Sequence, residues 1–513
     1  MANVTLHIPP LAAPRRLSDY LAEQGIALSA PCGGRGTCGK CRVRLLSGTL
    51  YDRADGRTPL VPDGEGYVLA CRALVAETAV TVEIPDTDGE GLTAFLATAK
   101  SKGGREGYGV ALDVGTTTLA AALVDLSSGQ TLGTVSRLNP QRSYGADVIT
   151  RIGAASAGKL SELRDVLLST VREMLAELSV GLAAPVSILT VAGNTTMLHL
   201  FLGVSPEGMG AYPFTPAFTE SKTLPGADLS LPVDTVVLLP SVSAFIGADV
   251  VAGAVALGMT DSAAPALLVD VGTNGEMLLS VPTSEGVRLF AASAAAGPAF
   301  EGAGISSGVG GIPGAVCRVW ESGNRLLYRT VSDAPSVGIC GAGLLDLVAL
   351  MLKRGDLDET GYLEDDPYSL IGVWVDGEGD PLPPAPSREV TLTGKDIREL
   401  QLAKSAIRAG LEALLSHAGI KPADLAHVYL AGGFGYYMDP ASASAIGLLP
   451  EEVLPAVGAV GNSALAGAIL ALTDPDALSR MERAGKECEG MDLNASAVFH
   501  AAFMEHMMFP EAY

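Results

Sequence analysis

The pattern of apolar and polar positions divides the chain into a short first part and a long second part. In residues 1–85, short alternating stretches predict strands at 4–9, 41–48 and 79–85 and one helix over 17–26. Residues 86–107 show no such period and are rich in Gly, Ser, Thr and charged residues. We therefore predict a small domain over 1–85 that a flexible linker, 86–107, joins to the rest of the chain.

The long second part opens with an apolar run that recurs later in the chain. YGVALDVGTTTLAAALVD spans residues 108–125, and ALLVDVGTNGEMLLSV spans residues 266–281. Both runs contain the tetrapeptide Asp-Val-Gly-Thr between two apolar segments, which predicts a strand, a turn and a second strand in each copy. Such a repeat indicates an internal duplication.

A third pattern lies closer to the C-terminus. An amphipathic helical pattern over 396–420 precedes the strand-like VYLAGGFGYYMDP of residues 428–440, which contains Gly432 and Gly433. Because glycine has no Cβ, a flat base or ribose can lie directly against the backbone there. These two glycines are therefore candidates for an adenosine-binding loop.

Composition and charge narrow the function classes. The chain has 513 residues, 48% of them hydrophobic, but no run of about 20 apolar residues such as a membrane span needs. The first residues, MANVTLHIPP, lack a secretory signal pattern, so we expect a cytoplasmic protein without a membrane segment. The net charge is −23, and the residues beyond 84 carry −24, which makes nucleic acid an unsuitable partner.

Four of the seven cysteines lie in the first 71 residues and indicate a metal site. Cys32, Cys38 and Cys41 follow a C-x5-C-x2-C pattern on a glycine-rich loop, and Cys71 comes after 29 further residues. This spacing suits a [2Fe-2S] cluster better than the paired C-x2-C knuckles of a zinc ribbon. A zinc site or four buried thiols are the alternatives. The other cysteines are predicted to lie in the core: Cys317, Cys340 and Cys488.

With these cysteines and the surrounding strand and helix patterns, residues 3–85 resemble a [2Fe-2S] ferredoxin domain. The resemblance implies an α+β, ferredoxin-like β-grasp fold. One extra residue separates the first two cysteines, compared with the plant-type pattern.

The two repeated turns carry residues suited to phosphate. Backbone N–H groups and hydroxyls in such a turn can donate to phosphate, while the aspartate can orient magnesium and water. A single Asp-x-Gly-Thr is also compatible with an ordinary hairpin turn. The candidates are Asp113, Gly115, Thr116 and Thr117 in the first copy and Asp270, Gly272, Thr273 and Asn274 in the second.

Two phosphate hairpins followed by a glycine loop resemble the α/β, two-lobed ATPases of the actin, sugar-kinase and Hsp70-like (ASKHA) superfamily. The resemblance implies ATP and Mg²⁺ as cofactors and lobes over 108–262 and 263–513. Asp249 resembles the aspartate that sugar kinases use as a catalytic base; alternatively, it satisfies N–H groups at a helix N-terminus. The chain contains no G-x4-G-K-[ST] sequence, so a P-loop is not supported.

Four stretches resemble a narrower family, the reductive activators of corrinoid-dependent enzymes: NPQRSYGADVITRI (139–152), VAGNTTMLHLFLG (191–203), AAAGPAFEGAGIS (295–306) and VGICGAGLLDLVALML (337–352). The resemblance implies ATP-dependent transfer of one electron from the cluster to Co(II) of a corrinoid protein, which regenerates Co(I) for methyl transfer. It also implies a methyltransferase system's corrinoid protein as partner, an external low-potential electron donor and a homodimer. Residues 308–311, GVGG, differ from the more polar sequence expected in this family.

Two other functions remain open at this point. One is a small-molecule kinase with a regulatory iron-sulfur domain, which predicts a polar substrate pocket near Asp249. The other is an electron-carrier module whose nucleotide fold is vestigial. Nucleotide-dependent electron delivery to a corrinoid protein would distinguish the three functions.

Overall fold

The computed structural model describes residues 4–11, 13–23, 41–63, 66–84, 105–323, 325–376 and 379–511. Within these ranges, no helix combines the length and the apolar character needed to cross a bilayer. Residues 86–104 of the predicted linker lie outside them. The last linker residues already pair with the body, because Arg105 N–H donates to the Leu126 carbonyl and Gly107 C=O accepts from Leu126 N–H.

The first domain is a small, mostly antiparallel β structure with one helix against it. Its four-stranded sheet has the order β1-β7-β3-β5, and β2-β6-β4 form a second, smaller sheet. Alternate residues of β7 are buried, as the sequence pattern requires of a strand with one face on a core. The elements are β1 (Val4–Ile8), β2 (Arg15–Arg16), α1 (Leu17–Glu23), β3 (Arg42–Ser47), β4 (Tyr51–Asp52), β5 (Tyr67–Leu69), β6 (Ala73–Val75) and β7 (Val80–Ile84).

The second part begins with a mixed six-stranded sheet of order β10-β9-β8-β11-β13-β12. The predicted hairpin is confirmed, since β8 and β9 pair antiparallel along their whole length. The elements are β8 (Tyr108–Val114), β9 (Thr118–Asp125), β10 (Thr131–Leu138), α2 (Val148–Ala154), α3 (Leu160–Leu178), β11 (Val186–Gly193), α4 (Thr195–Leu202), β12 (Lys222–Pro225), β13 (Thr235–Leu238) and α5 (Ala248–Ala256).

A second six-stranded sheet has the order β24-β23-β14-β15-β16-β25, and β19-β17-β18-β21 form a smaller sheet beside it. The predicted long helix is α7. The elements are β14 (Ala266–Val271), β15 (Gly275–Thr283), β16 (Gly286–Ala294), β17 (Ala315–Ser322), β18 (Arg325–Thr330), β19 (Gly338–Ile339), α6 (Gly341–Arg354), β20 (Tyr368–Ser369), β21 (Val373–Trp374), β22 (Thr391–Leu392), α7 (Gly394–Ala418), β23 (His427–Ala431), α8 (Gly432–Tyr437), α9 (Pro440–Ala445), β24 (Val457–Gly461), α10 (Ser463–Thr473), α11 (Ala477–Glu487), β25 (Glu489–Met491) and α12 (Ala497–Glu505).

The two large sheets share one topology, as the repeated sequence predicts. In each sheet an antiparallel hairpin, β8–β9 or β14–β15, is followed by a parallel neighbour of its first strand, β11 or β23. A further parallel strand, β13 or β24, then extends the sheet. Because the strands β8 and β14 carry Asp113 and Asp270 near their carboxyl ends, the duplication gives both aspartates equivalent places.

The chain returns to the first lobe after β24. Helix α10 belongs to the first lobe's hydrophobic core, and the Thr190 hydroxyl donates to the Ala468 carbonyl at 2.8 Å. Helices α5 and α10 approach closely, since a Cβ on Gly467 would lie 2.3 Å from the Ala252 carbonyl oxygen. The lobe boundaries of 108–262 and 263–513 therefore stay a prediction, because the later segment contributes to both cores.

Candidate functional site

A cleft of about 250 Å³ lies where the carboxyl ends of β8, β11, β14, β23 and β24 meet. Both repeated hairpins and the glycine loop line it. Of the candidate residues, the structure brings together Asp113, Gly115, Thr116, Thr117, Asp249, Asp270, Gly272, Thr273, Asn274 and Gly432. Gly433 follows Gly432 as the second residue of α8. Ligands commonly bind at such strand ends in open α/β sheets.

Buried side chains hold the turn of the first hairpin in shape. The Asn139 side-chain amide donates to the Gly115 carbonyl at 2.8 Å, and the Asn139 backbone N–H donates to the Thr117 carbonyl at 2.8 Å. The guanidinium of fully buried Arg151 donates to the Thr116 carbonyl at 2.5 Å. Burial lowers the pKa of Arg151 to about 9. These contacts fix three successive carbonyls, which leaves the turn's hydroxyls to face the cleft.

Two helix caps also reach the first hairpin. Asn194 caps α4, and its side-chain amide donates to the Thr116 hydroxyl at 2.9 Å. Asn462 caps α10, and its side-chain amide donates to Asp113 Oδ2 at 2.8 Å. Because an asparagine amide both accepts and donates, one residue can end a helix and orient a side chain in the cleft.

Glu301 connects the two hairpins. It ends the short 3₁₀ turn Pro298–Glu301, and its Oε2 accepts hydrogen bonds from the Thr117 hydroxyl at 3.0 Å and the Thr273 hydroxyl at 2.6 Å. One carboxylate oxygen therefore serves donors from both sequence repeats.

The cleft concentrates carboxyl groups. Burial raises the pKa of Asp113 to about 7. The hydrogen bond from Asn462 acts in the opposite direction, and the nearby charge of Asp249 acts in the same direction as burial. Burial and the charges of Asp249, Asp113 and Glu301 likewise raise the pKa of Asp270 to about 7. Burial raises the pKa of Asp249 to about 6 and also raises the pKa values of Glu276 and Glu301. The arrangement favours a ligand that brings positive charge.

Asp249 fits both of the roles considered for it. It lies in the first turn of α5, where its Oδ1 accepts a hydrogen bond from the Val250 backbone N–H at 2.8 Å. Its side chain also lines the cleft. A catalytic role for Asp249 stays a prediction.

The glycine loop brings backbone against the second aspartate. Gly432 has a φ of +82°, and a Cβ at this position would lie 2.5 Å from Asp270 Oδ1. Any other residue would therefore displace the carboxylate. Nearby, Phe300 and Phe434 stack with ring centroids 4.8 Å apart and give this side of the cleft an apolar wall.

The GVGG segment is part of the cleft despite its apolar sequence. Val309, Gly310 and Gly311 line it, and Val309 N–H donates to the Ile339 carbonyl at 2.9 Å. Cys340 lines the cleft as well, so the prediction of a plain core position is incomplete for this cysteine. Burial raises its pKa, as a largely unexposed thiol requires.

In the first domain, two of the four candidate cluster ligands lie on neighbouring segments of backbone. Cys41 and Cys71 are both 1% exposed, and the Ala70 N–H donates to the Cys41 carbonyl at 2.8 Å. Pairing of Arg42 with Leu69 places Cys41 and Cys71 just beyond the same end of two neighbouring strands. Cysteines at this end of the sheet are compatible with an iron-sulfur cluster. Cys32 and Cys38 lie outside the described residues.

Comparison with known proteins identifies the family. Residues 10–76 match the 2Fe-2S iron-sulfur cluster binding domain, 108–262 the RACo middle region, and 264–513 the C-terminal domain of RACo, the ASKHA domain. The Co(II) methylated amine-specific corrinoid protein reductase of Methanosarcina barkeri is 30% identical, over 70% of this chain and 68% of its own. This chain belongs to the family of reductive activators of corrinoid-dependent enzymes.

Two further relatives extend over nearly the whole chain. The corrinoid activation enzyme RamQ of Eubacterium limosum is 28% identical, over 96% of each chain. The solved structure of a reductive activator for corrinoid, iron-sulfur protein is 27% identical, with a TM-score of 0.71 over 97% of this chain and 96% of that one. The predicted fold class is thereby confirmed: a ferredoxin-like [2Fe-2S] domain followed by an ASKHA domain.

The stretches that resemble reductive activators supply the contacts around the hairpins. Asn139 and Arg151 come from the first stretch, Asn194 from the second and Glu301 from the third. Sequence reasoning did not assign roles to these residues, nor to Glu276 and Asn462. The signal was a polar residue inside an otherwise apolar or glycine-rich stretch, but the sequence does not indicate which partner each one contacts.

We expect Asp270→Asn to stabilise the protein. The folded-state pKa of Asp270 is raised to about 7 from 3.8, so ionisation of this carboxyl opposes folding above pH 4 and fully above pH 7. Removing the charge should raise the free energy of unfolding by about 1–2 kcal/mol at pH 8, less than the full shift because cleft water screens it.

The measurement is denaturant or thermal unfolding of the full chain between pH 4 and pH 8. The gain should shrink as the pH falls from 7 and vanish near pH 4. The matched control is Asp228→Asn, at an exposed residue of the first lobe, which should change nothing. A variant less stable than the parent protein at pH 8 would contradict the proposed repulsion.

Proposed function

We propose that this protein is an ATP-dependent reductive activator that transfers one electron from its [2Fe-2S] cluster to Co(II) of a corrinoid protein and so regenerates Co(I) for methyl transfer. The observation that carries this proposal is one cleft that receives both Asp-Val-Gly-Thr hairpins, in a chain that also has a ferredoxin-type domain. The names of the relatives support the corrinoid protein as the electron acceptor.

The cleft residues fit a nucleotide with magnesium. Thr116, Thr117 and Thr273 offer hydroxyl donors to phosphate, and Gly432 and Gly433 would admit the adenosine part. In the described ranges, no group of three or more His, Cys, Asp or Glu side chains is arranged to hold a metal directly. Mg²⁺ would therefore be held through phosphate oxygens and water, with the carboxylates Asp113 and Asp270 orienting that water.

Binding energy, rather than phosphorylation, is sufficient for the activation. A plant-type [2Fe-2S] cluster has a potential near about −400 mV, and in this family the Co(II)/Co(I) couple is expected to be lower. A gap of about 100 mV for one electron corresponds to about 2 kcal/mol. A nucleotide that binds two arrangements of the lobes with different affinities can supply this amount.

Further parts of the proposal rest on the family resemblance. We expect an external low-potential donor to reduce the cluster. We also expect a cytoplasmic homodimer. The proposed organisation is a cluster domain at 1–85, a linker at 86–107 and lobes at 108–262 and 263–513.

The four N-terminal cysteines should be necessary for the cluster. Because a [2Fe-2S] cluster needs four ligands, Cys41→Ser or Cys71→Ser should abolish the visible absorption and most of the iron, which we expect at about two per chain in the parent protein. Cys32→Ser and Cys38→Ser should do the same. The control is Cys488→Ala, at a buried core position remote in sequence, which should retain its iron. Stoichiometric zinc after anaerobic reconstitution would contradict the assignment.

Cobalt reduction should depend on ATP and on the cleft. With chemically reduced protein and a Co(II) corrinoid protein, we expect Co(I) absorption to develop only with ATP and Mg²⁺. Asp113→Ala should slow this reaction at least about tenfold, because removing an orienting carboxylate costs about 1.4 kcal/mol or more, while leaving the iron content unchanged. Rapid phosphorylation of a metabolite would favour the small-molecule kinase. Cobalt reduction at the same rate with and without ATP would favour the electron-carrier module with a vestigial nucleotide fold.

The linker should allow the cluster domain to serve two partners. Since Arg105 and Gly107 pair with the body, a flexible coil would comprise at most residues 86–104, which would span about 24 Å. Deleting half of it should slow cobalt reduction several-fold, because the cluster then reaches fewer docking positions, while iron content and ATP affinity stay unchanged. The matched control replaces the same residues with an equal number of Gly and Ser residues, so that the length of the linker is unchanged. An unchanged rate in the shortened protein would mean that the linker is only a spacer.

A further inference from the structure

Glu301 engages two of the hydroxyls that the proposed nucleotide phosphates would use. Its Oε2 accepts hydrogen bonds from the hydroxyls of Thr117 and Thr273, one from each hairpin. A hydroxyl has one proton and can donate it to only one acceptor at a time. The same two donors therefore cannot serve both Glu301 and a phosphate.

Charge makes the competition sharper. A carboxylate and a polyphosphate repel each other at short range, and the repulsion is large in a site with little water. Asp249 and Asp270 lie in the same cleft and already oppose added negative charge. Glu301 must therefore leave the hydroxyls when phosphate arrives.

We infer that Glu301 is a positioning residue that acts as a latch: its carboxylate ties the two hairpins together and releases their hydroxyls when the phosphates of the nucleotide bind. This inference rests on the proposed nucleotide site. It concerns how nucleotide binding is converted into movement, which the family assignment does not specify.

The segment that carries Glu301 contacts both the glycine-loop helix α8 and the start of helix α7. The neighbouring Phe300 stacks on Phe434, which lies in the helix that begins with the glycine loop. A few residues later, Ser306 N–H donates to Asp396 Oδ1 at 2.8 Å. Asp396 belongs to the capping box that begins α7 (Gly394–Ala418), the longest described helix. Release of Glu301 would thus alter contacts that lead from the cleft to α7.

The opposite role for Glu301 has a different signature. If its carboxylate instead oriented Mg²⁺ or water beside bound nucleotide, removing it would weaken nucleotide binding. As a latch, it stabilises the arrangement without phosphate, and removing it strengthens the binding of phosphate-containing ligands only. Adenosine, which has no phosphate, distinguishes these effects from a general change in the cleft.

The test is calorimetric titration of the full chain with Mg-ATP and, separately, with adenosine. Glu301→Ala should bind Mg-ATP about tenfold more tightly than the parent protein, which corresponds to about 1.4 kcal/mol, with adenosine affinity unchanged. Glu301→Gln loses the charge but keeps a neutral oxygen that accepts more weakly, so it should tighten Mg-ATP binding by a smaller factor. The comparison for the effect of charge alone is Glu276→Gln, since Glu276 is a carboxyl of the same cleft that accepts from Asn274 at 3.2 Å rather than from a hydroxyl. It should tighten Mg-ATP binding less than Glu301→Gln does.

Cobalt reduction gives a second measurement that a purely structural role would not change in this way. The ATP concentration for half-maximal rate should fall about tenfold in Glu301→Ala and by a smaller factor in Glu301→Gln, while the maximal rate does not rise. Should Glu301→Ala be unstable, Glu301→Gln preserves the side-chain size, and the direction of its change decides the question.

Three results would overturn the inference. Weaker or unchanged Mg-ATP binding in the Glu301 variants would show that the carboxylate does not compete with phosphate. Equal tightening in Glu276→Gln would assign the effect to the total charge of the cleft. Absence of Mg-ATP binding to the parent protein would instead disprove the proposed function and with it the latch. This outcome is distinguishable from failure of the latch alone, because it is observed in the parent protein without any substitution.

Discussion

The burial of several carboxyl groups in one cleft is the constraint on which the rest of this structure depends. The duplicated topology places Asp113 and Asp270 near the ends of equivalent strands, and the helix after β13 adds Asp249. Burial raises the pKa of all three carboxyl groups, and the neighbouring carboxylates raise the pKa values of Asp113 and Asp270 further. A cleft of this kind lowers the stability of the folded protein without a ligand. A cation and a ligand that bind in the cleft raise that stability.

Much of the fold could be predicted because its signals are local. The Asp-Val-Gly-Thr repeat identifies both hairpins, and the spacing of four cysteines identifies the cluster domain. The contacts that shape the cleft are not local: Thr117 and Glu301 are 184 residues apart, and Asp113 and Asn462 are 349 residues apart. No period or spacing relates such pairs, so only the folded chain shows that Glu301 serves both hairpins.

Two kinds of contact between the lobes stand out in the described residues. Helix α5 of the first lobe packs both on α10 and on the second large sheet, where a Cβ on Gly253 would lie 2.6 Å from the Ser463 hydroxyl oxygen and 3.3 Å from Leu268. Packing of this kind sets the distance between the helices but forms few directed hydrogen bonds. Packed helices of this kind can slide past each other in domain closure. Glu301, in contrast, makes directed hydrogen bonds to both hairpins. The helix contact thus permits movement that the polar bridge restrains.

The charge of the cleft also bears on what the nucleotide does. Asp249, Asp270 and Glu301 line one cleft, and burial raises the pKa of each of these carboxyl groups. Such a cleft binds a nucleotide more readily with Mg²⁺ than as the free anion, because the cation offsets the repulsion between carboxylates and phosphates. In the proposed function, ATP binding biases the arrangement of the lobes, and electron transfer from the cluster to cobalt consumes no phosphoryl acceptor. An acidic cleft whose two hairpins are joined through Glu301 therefore suits a nucleotide that acts on the lobes.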